Sequence, residues 1–290
     1  MVIYDSCKST IQSCLETRTF AIAWMYSDEK TMDMHIHDCY EIYFSISGGK
    51  QFLIDKRLYE VDPGNIFFIN QFESHHLTQV DVATHERIVI SIHPEYLKRL
   101  STQQTDLSHC FTCRDTPFGH KIMLSKEHQK KFTYFIHKLS ESRDYGQDIM
   151  DRAIFLEMMA WLNYMFISCC NGNMEIPSVQ RLASVHYEQI DELLSYINQH
   201  LAEDLSISVL ASRLHFSSSY LRKIFKDATG TTINRYIIAK RISMAKRLLT
   251  DGYSVTETSL LCGFQDYSNF LKSFTKAVGI SPKKYASCER

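Results

Sequence analysis

Proline and glycine are scarce in this chain, with 5 and 10 of its 290 residues respectively. This scarcity excludes a collagen-like chain and a disordered chain rich in these residues. Long apolar runs are also missing, since no stretch approaches the roughly 18 uncharged apolar residues that cross a bilayer. The N-terminal residues MVIYDSCKST lack the basic region and apolar run of a signal peptide. We therefore expect a folded cytoplasmic protein that has no contact with a membrane.

Disulfide frameworks and catalytic motifs are absent as well. The nine cysteines are odd in number, and their spacings, including the adjacent Cys169 and Cys170, match no pattern of paired bridges. Cys110-x2-Cys113 has no second ligand pair at the spacing of a zinc site. The sequence contains no glycine-rich phosphate loop and no Gly-x-Ser-x-Gly elbow. We expect reduced thiols, no cofactor and no enzymatic activity.

Charge is distributed unevenly along the chain. Residues 180–290 contain 15 Lys and Arg against 10 Asp and Glu, whereas residues 1–179 contain 17 against 23. Because Lys and Arg neutralise phosphates, a polyanionic partner should bind the C-terminal part. The length also suffices for two domains, each with its own core.

The N-terminal part alternates short strands with turns between residues 20 and 93. Turn residues such as Gly48-Gly49 and Pro63-Gly64 separate the strands, which is typical of a small barrel or sandwich. The predicted strands read AIAWMYS, YEIYFSIS, KQFLID, NIFFIN and RIVISIH.

Helical periodicity follows from residue 125 to residue 170 and predicts two long helices. Their apolar residues exceed what one barrel face should need, so we predict a homodimer through these helices. The alternative is that the residues form an intradomain core. The apolar positions are Phe132, Phe135, Ile136 and Leu139 in the first helix, and Ile154, Leu156, Met158, Met159, Trp161, Leu162, Met165 and Phe166 in the second.

An internal duplication occupies residues 205–236 and 254–285. Such a repeat indicates two copies of one supersecondary unit. The residues that match at an offset of 49 are Leu221 and Phe270, Phe225 and Phe274, Gly230 and Gly279, and Tyr236 and Tyr285.

Each copy predicts two helices joined by a tight turn. Ser217 and Asp266 are placed as N-caps of the second helix in each copy, and Gly230 is placed to end the first of these helices. A helix over residues 233–249 lies between the copies and should hold them about one DNA turn apart, so that both enter the major groove.

The outward faces of these second helices combine short polar side chains with cations. This combination suits the major groove, where hydrogen bonds read base edges and cations contact phosphates. The alternative is an ordinary solvated surface, which the duplication makes less favourable. The candidate DNA-binding residues are Ser218, Ser219, Arg222, Lys223 and Lys226 in the first copy, and Tyr267, Ser268, Asn269, Lys272 and Lys276 in the second.

Motifs in both copies and in the connecting helix match a known family. They are Leu210-Ala211, Ser217-x-x-Tyr220-Leu221-x-x-x-Phe225-Lys226, Gly230, Arg241 with Ala245 and Leu248-Leu249, Gly263-Phe264, Phe270-x-x-x-Phe274 and Gly279-x-Ser281-Pro282-x-x-Tyr285. Residues 190–287 thereby resemble the DNA-binding domain of AraC/XylS regulators. The resemblance implies a promoter-binding regulator, usually an activator that contacts RNA polymerase. Two positions of the second copy depart from this family pattern. The chain has Thr258-Ser259 where family members commonly have Ile-Ala, and it has Lys272 where they usually have Arg.

A second resemblance covers residues 20–95. His35-x-His37-x3-Glu41-x6-Gly48, followed by Pro63-Gly64 and His75-His76, resembles the two conserved stretches of a cupin barrel, a common sensor domain in this family. On a strand, His35, His37, Glu41, Tyr43 and Ser45 would share one polar face that could line a cavity. We expect the effector-binding residues to be His35, His37, Glu41, Tyr43 and His75.

Three interpretations of this polar group remain open. It could bind a polar effector such as a sugar, it could bind a metal ion through His35, His37, Glu41 and His75, or it could be a structural hydrogen-bonded cluster. The main alternative to a regulator is a metal-dependent cupin enzyme with an appended helical domain. A constitutive DNA-binding protein, without a ligand, is a third possibility.

The predicted fold is α+β and multidomain. It has a cupin-like sensor barrel over residues 1–124, a helical dimerisation segment over 125–172, a linker over 173–186 and an all-α domain over 187–290. The last domain contains two helix-turn-helix units joined by a linker helix. The predicted function is a ligand-responsive, sequence-specific transcriptional regulator, with promoter DNA, a small-molecule effector, RNA polymerase and a second copy of the chain as partners.

Overall fold

The computed structural model describes residues 2–27, 34–49, 51–79, 85–114, 116, 118–141, 145–171 and 185–288. Five helices of the N-terminal part are α1 Cys7–Thr17, α2 Pro94–Leu100, α3 His109–Thr112, α4 Lys126–Ser140 and α5 Gln147–Cys170. Its strands are β1 Ile3–Tyr4, β2 Phe20–Ser27, β3 Tyr40–Ser45, β4 Gln51–Ile54, β5 Arg57–Glu60, β6 Asn65–Ile69, β7 His75–Gln79, β8 His85–Ile92 and β9 Lys121–Met123.

Two sheets face each other in this N-terminal domain. The larger has the order β1-β2-β8-β3-β6-β9 and the smaller β5-β4-β7. All pairings are antiparallel except that of β1 with β2. The five strands predicted from alternating patterns are present, whereas β1, β5, β7 and β9 were not predicted. Strands β1 and β9, of two and three residues, are too short to show a clear alternation. Strands β5 and β7 are as long as the predicted β4 and β6, but their sequences RLYE and HHLTQ contain fewer apolar residues.

The two faces of β3 explain why all six of its residues are buried. Tyr43 packs with Phe52 and Phe67 between the two sheets, while Ile42 and Phe44 point to the opposite face. Successive side chains of a strand alternate between faces, so the predicted division of this segment by parity is correct.

Helices α4 and α5 cover the outer face of the larger sheet. The four residues predicted for the inner side of α4 are all buried there. Most of the apolar residues of α5, including Met158, Leu162 and Phe166, belong to the same core. The intradomain alternative therefore accounts for most of this apolar surface.

Helix α5 is also long and apolar enough to cross a bilayer by length and composition, although we expected no such segment. We had searched for about 18 uncharged residues in a row, but a segment of 18 residues with one or two charged side chains can also be apolar enough to span a membrane. More than half of this window is buried against the protein, as in the core helix of a soluble domain. The helix is therefore weak evidence for a membrane span.

The C-terminal part consists of helices in the residues that the structure describes. They are α6 Val185–Gln199, α7 Ile207–Arg213, α8 Ser218–Thr229, α9 Ile233–Thr250, α10 Val255–Leu261, α11 Tyr267–Val278 and α12 Pro282–Cys288. The predicted linker lies outside the described residues over 173–184, and at 185 and 186 the chain is already in α6.

Two separate apolar cores organise these helices, and α9 belongs to both. Its first half packs with α6, α7 and α8 through residues such as Tyr236 and Ile237. Its second half packs with α10, α11 and α12 through Ile242, Ala245 and Leu249. The connecting helix is thus part of both units and not a spacer exposed to solvent.

The duplication is reproduced in the packing geometry. The rings of Phe225 and Tyr236 have centroids 5.7 Å apart at an interplanar angle of 66°, and those of Phe274 and Tyr285 are 5.6 Å apart at 71°. In each pair the phenylalanine ends up fully buried because the chain reverses at a glycine and brings the tyrosine back over it.

The predicted helix ends are also confirmed. The side chains of Ser217 and Asp266 accept hydrogen bonds from the backbone N–H groups of Tyr220 and Asn269, as N-caps do. Gly230 and Gly279 end α8 and α11 in the left-handed conformation, with φ of 70° and 85°.

Candidate DNA-binding surface and effector site

The helices α8 and α11 each bury one face and expose the other. Leu221, Ile224 and Phe225 of α8 are buried, as are Phe270 and Phe274 of α11. Among the candidate DNA-binding residues, Ser218 is half-buried and the others are exposed, namely Ser219, Arg222, Lys223, Lys226, Tyr267, Ser268, Asn269, Lys272 and Lys276.

The relative orientation of the two units depends on the α6–α7 loop. Arg241 of α9 donates to the carbonyls of Leu201 and Glu203 at 3.0 and 2.9 Å. Gly263 lies against the same loop, where an added Cβ would be 2.4 Å from the Leu201 oxygen. Because Gly263 has φ of +74° and no room for a side chain, only glycine fits this turn. The loop of the first unit is thereby held against the turn of the second.

Four side chains of the N-terminal domain converge on one point. His35, His37, Glu41 and His75 each place a possible ligand atom within 4.8 Å of the other three. His37 Nε2 lies 3.0 Å from one oxygen of Glu41, and His75 Nε2 lies 3.6 Å from the other. We call these four residues the His–Glu cluster.

Different parts of the fold position the cluster. Glu41 is on β3 and His75 begins β7 of the opposite sheet, so the cluster lies where the two sheets meet. His35 is paired with His75 by a backbone bridge, which orients the segment before β3. The Nδ1 atoms of His37 and His75 face the carbonyls of Cys39 and Glu73 at 2.9 Å, and these contacts orient both rings.

Burial and mutual charge set the protonation of the cluster. Burial opposes protonation of His37, but Cys39 and Glu41 outweigh it and raise its pKa to about 9. Burial would likewise raise the pKa of Glu41, but His75 and His37 hold it well below its usual range. The pKa of His75 is raised by Glu41 against the same effect of burial. A buried carboxylate thus faces two imidazoles that favour positive charge.

Tyr43 is the one predicted effector residue that the described contacts do not bring into this cluster. Its hydroxyl hydrogen-bonds His85 Nε2 at 2.8 Å. Its ring packs on Phe52 and Phe67, and all three are at most 1% exposed. The alternation of side chains along the strand correctly predicted the face on which Tyr43 lies. It does not predict which residues on that face are close enough to contact each other.

The barrel and the DNA-binding domain contact each other close to the cluster. His76, adjacent to His75, bonds the carbonyl of Thr229 at the end of α8. Lys246 of α9 forms an ion pair with Asp38, adjacent to His37.

A second set of contacts lies beside these. Lys240 of α9 pairs with Asp55, whose carbonyl also accepts the hydroxyl of Tyr236 at 2.9 Å. Ser243 donates to the carbonyl of Phe72. This interface was not predicted from the sequence. Lys240 and Lys246 could have indicated it, because both lie among the apolar positions of α9 and are buried.

A polar group of the barrel was also missed. The carboxylate of Glu73 contacts Arg114 at 3.2 Å and His120 at 3.1 Å, and Tyr59 bonds the same imidazole. Burial opposes ionisation of Glu73, but His120 and Arg114 lower the pKa of Glu73 to about 2. The partners lie more than 40 residues away in sequence, which leaves no local signal.

Two family models match the chain, and together they cover more than half of it. An AraC-like ligand-binding domain matches residues 18–130, and a helix-turn-helix domain matches residues 210–287. The first contains the His–Glu cluster and the second contains α8 and α11. The chain belongs to the AraC family of transcriptional regulators.

Several individual proteins are similar to this chain. An uncharacterized HTH-type transcriptional regulator of Bacillus subtilis, YbfI, is 24% identical over 81% of this chain and 80% of its own length. The HTH-type transcriptional activator RhaR of Pectobacterium atrosepticum is 22% identical over 87% of this chain and 85% of its own. The solved C-terminal domain of the response regulator yesN from Fusobacterium nucleatum is 31% identical, with a TM-score of 0.33, and covers 34% of this chain and 98% of that domain.

Membership of the AraC family assigns a role to each half of the molecule. The N-terminal domain is the ligand-binding domain and the helical C-terminal domain binds DNA. The chain is therefore a ligand-responsive transcriptional regulator, as predicted. Within the part of the chain that the structure describes, the one long apolar helix is weak evidence for a membrane span.

His85 generates a pH prediction for this AraC-family barrel. Burial and the nearby Arg87 lower the pKa of His85 to about 4, below the roughly 6.5 of an unfolded chain. The folded state therefore resists a proton that the unfolded state accepts. The resulting stability is complete above pH 6.5 and decreases as the pH falls from 6.5 to 4, by at most roughly 3 kcal/mol.

Urea unfolding of the wild type and of His85→Gln between pH 7 and pH 4.5 measures this effect. Glutamine cannot take up the proton but can still bond Tyr43, so the wild type should lose more stability than the variant over this range. Equal losses would show that His85 does not resist protonation.

Proposed function

We propose that the chain is a promoter-binding activator of the cytoplasm, without enzymatic activity, that contacts RNA polymerase and inserts α8 and α11 into neighbouring major grooves. The observation that carries this proposal is the duplicated unit, whose two copies share cap, glycine and aromatic packing. The proposal of activation is supported by the similarity of the chain to RhaR, a transcriptional activator.

The exposed residues of α8 and α11 have two proposed roles, which are contact with base edges and contact with phosphates. Ser219 on the first turn of α8, and Ser268 and Asn269 on that of α11, are short enough to reach base edges. Lys223, Lys226, Lys272 and Lys276 follow one to two turns later and suit phosphates. Helix α9, rigidly packed in both cores, would hold the two helices about one DNA turn apart.

For the barrel, the geometry favours a divalent cation as the ligand of the His–Glu cluster. Three imidazoles and one carboxylate form a common donor set for Zn, Fe, Ni or Mn. Tyr43, Phe52 and Phe67 fill the adjacent interior, which leaves more room for an ion than for a sugar. The direct contacts of Glu41 with His37 and His75 also agree with ligands poised around one centre.

The cluster can affect DNA binding through its sequence neighbours. A bound cation would supply the positive charge that protonated His37 and His75 otherwise provide to Glu41. The adjacent residues Asp38 and His76 contact α9 and the end of α8. A small shift of the ligands therefore changes contacts that hold the DNA-binding domain, which is how a ligand with unequal affinity for two arrangements regulates.

The proposed homodimer uses the part of α5 that the intradomain core leaves uncovered. Ile149, Leu156, Tyr164 and Ile167 are 38% to 69% exposed. Together with the exposed Ala153 and Ala160 they recur every three or four residues, so they form one stripe along the helix. A continuous apolar stripe of this length is typical of a surface that packs against a partner helix.

A first prediction concerns DNA. Lys223→Glu and Lys272→Glu should each weaken binding to a duplex selected by the wild-type protein from a random pool by about tenfold or more, and should lower the salt dependence. Fluorescence anisotropy over a range of salt concentrations measures both quantities. Lys8→Glu makes the same charge change at an exposed position of α1 and should leave both unchanged. Unaltered affinity in both α8 and α11 variants would contradict the proposed surface.

A second prediction concerns the metal. After treatment with EDTA and dialysis, the wild type should bind one zinc or manganese ion per chain in calorimetric titration, and His37→Asn and His75→Asn should lose at least about tenfold in affinity. His93→Asn, a half-buried histidine outside the cluster, should bind as the wild type does. Wild-type protein that binds neither ion would exclude the metal and leave the sugar or the structural cluster.

A third prediction concerns oligomeric state. The wild type should sediment as a dimer at micromolar concentration, and Leu156→Glu should sediment as a monomer because it places a charge in the middle of the apolar stripe. Glu157→Lys changes the charge at the neighbouring exposed position and tests whether any change on α5 suffices. A monomeric wild type would refute the dimer.

A further inference from the structure

A cleft of about 730 Å³ separates the barrel from the DNA-binding domain. One wall is formed by the β4–β5 turn at Asp55 and Lys56 and by residues 70–73. The other is formed by the end of α6 and by one face of α9. The residues of that face, Lys240, Ser243, Met244 and Arg247, follow each other at intervals of three, one and three positions along the helix. The size is that of a pocket for a small organic molecule.

Both loops of the barrel wall contain a residue in an unfavourable backbone conformation. Asp55 and Phe72 have φ of 54° and 65°, in the left-handed region that side chains rarely adopt. Neither residue is glycine, and for Phe72 the conformation is costly. The contacts of Phe72 with His37 on one side and Ser243 on the other hold it there. Such strain at the rim of a cavity agrees with a functional role for the loop.

The charges around the cleft do not cancel. Lys240 forms an ion pair with Asp55, and Glu73 forms an ion pair with Arg114. Lys56 on the barrel wall and Arg247 on α9 are exposed. Among the residues that the structure describes, neither of them forms an ion pair. One cation therefore remains on each wall.

The rest of the lining is polar and can recognise hydroxyl groups. The amide side chains of Asn70, Gln71 and Gln199 border the cleft and can both donate and accept hydrogen bonds. Phe72 and Met244 add a limited apolar surface. A hydroxylated molecule that carries a carboxylate or a phosphate matches this combination of amides and unpaired cations.

We propose that this cleft binds a small hydroxylated organic anion, with Lys56 and Arg247 on its charged group, and that the anion stabilises the docked arrangement of the two domains. A ligand that touches both walls binds only when the walls are together, so its affinity differs between docked and undocked states. This anion site is separate from the His–Glu cluster. Only its effect on DNA rests on the proposed function.

The cleft and the cluster share one structural link. The backbone N–H of Phe72 donates to the carbonyl of His37 at 3.0 Å, and that of Asp55 donates to the carbonyl of Ser74 at 2.7 Å. Of the two loops that line the cleft, the one with Phe72 is thus bonded to a cluster residue, and the β4–β5 turn is bonded to the neighbour of another cluster residue, His75. A ligand that displaced these loops would therefore also displace the backbone of the cluster.

Thermal shift and calorimetry of the full chain without DNA test the anion site. The probes are glucose 6-phosphate, gluconate and citrate, with neutral glucose and sodium chloride at matched ionic strength as controls. At least one of the three anions should raise the Tm, because binding to the folded state alone stabilises it. Lys56→Gln and Arg247→Gln should each weaken that anion by about tenfold or more, whereas Lys8→Gln should not.

Two results would overturn the proposal: no shift of the wild type by any of the three anions, or variants of Lys56 and Arg247 that bind as tightly as the wild type. Because both residues are exposed, an unchanged Tm without ligand verifies that the variants fold. Anisotropy with the selected duplex, run with and without the anion, should show at least a threefold change in Kd. Loss of all DNA binding would refute the proposed function but would leave the anion titration interpretable.

Discussion

Helix α9 is the constraint on which the rest of the structure depends, because the two DNA-binding units and the barrel all pack against it. Its first half completes the core around α8 and its second half completes the core around α11. Two of its lysines, Lys240 and Lys246, reach the barrel. A rigid helix cannot adjust to one of these partners without moving the others. A movement of the barrel against α9 would therefore shift both DNA-binding units together.

The chemistry of the barrel contact makes it suitable for a reversible interaction. The buried Lys240 and Lys246 form ion pairs with Asp55 and Asp38, and a buried charge without such a partner would be costly. When the domains separate, water solvates all four groups, so opening loses little electrostatic energy. An interface formed only by apolar residues would expose them to water instead. The contact also has an apolar part, because Leu53 of β4 packs into the core around α8. Interfaces that combine apolar packing with polar contacts are common between domains that move relative to each other.

The two candidate ligand sites lie on either side of the same loop. Residues 70–74 run from the wall of the cleft to His75, and Phe72 is bonded to His37. A ligand on either side can therefore bias the position of this loop against α9. The sides of α8 and α11 that we propose to contact DNA remain exposed in the docked arrangement. Under this proposal, regulation would change the orientation of these helices and the free energy of domain docking, because the barrel does not cover their exposed sides.

The sequence alone determined the local features of this protein. Ser217, Gly230 and the spacing of Phe225 and Tyr236 predict capped helices and a repeated unit, because caps and periodicity act within a few residues. The resemblance to a cupin barrel anticipated the association of His35, His37, Glu41 and His75. Only the tertiary structure determined the partner of each surface. Most of the apolar side of α5 packs on the barrel, and Tyr43 forms a hydrogen bond with His85. Lys240 contacts Asp55, which is 185 positions away in the sequence. Periodicity shows that a face is apolar or that a lysine interrupts it, but the identity of the partner depends on the path of the whole chain.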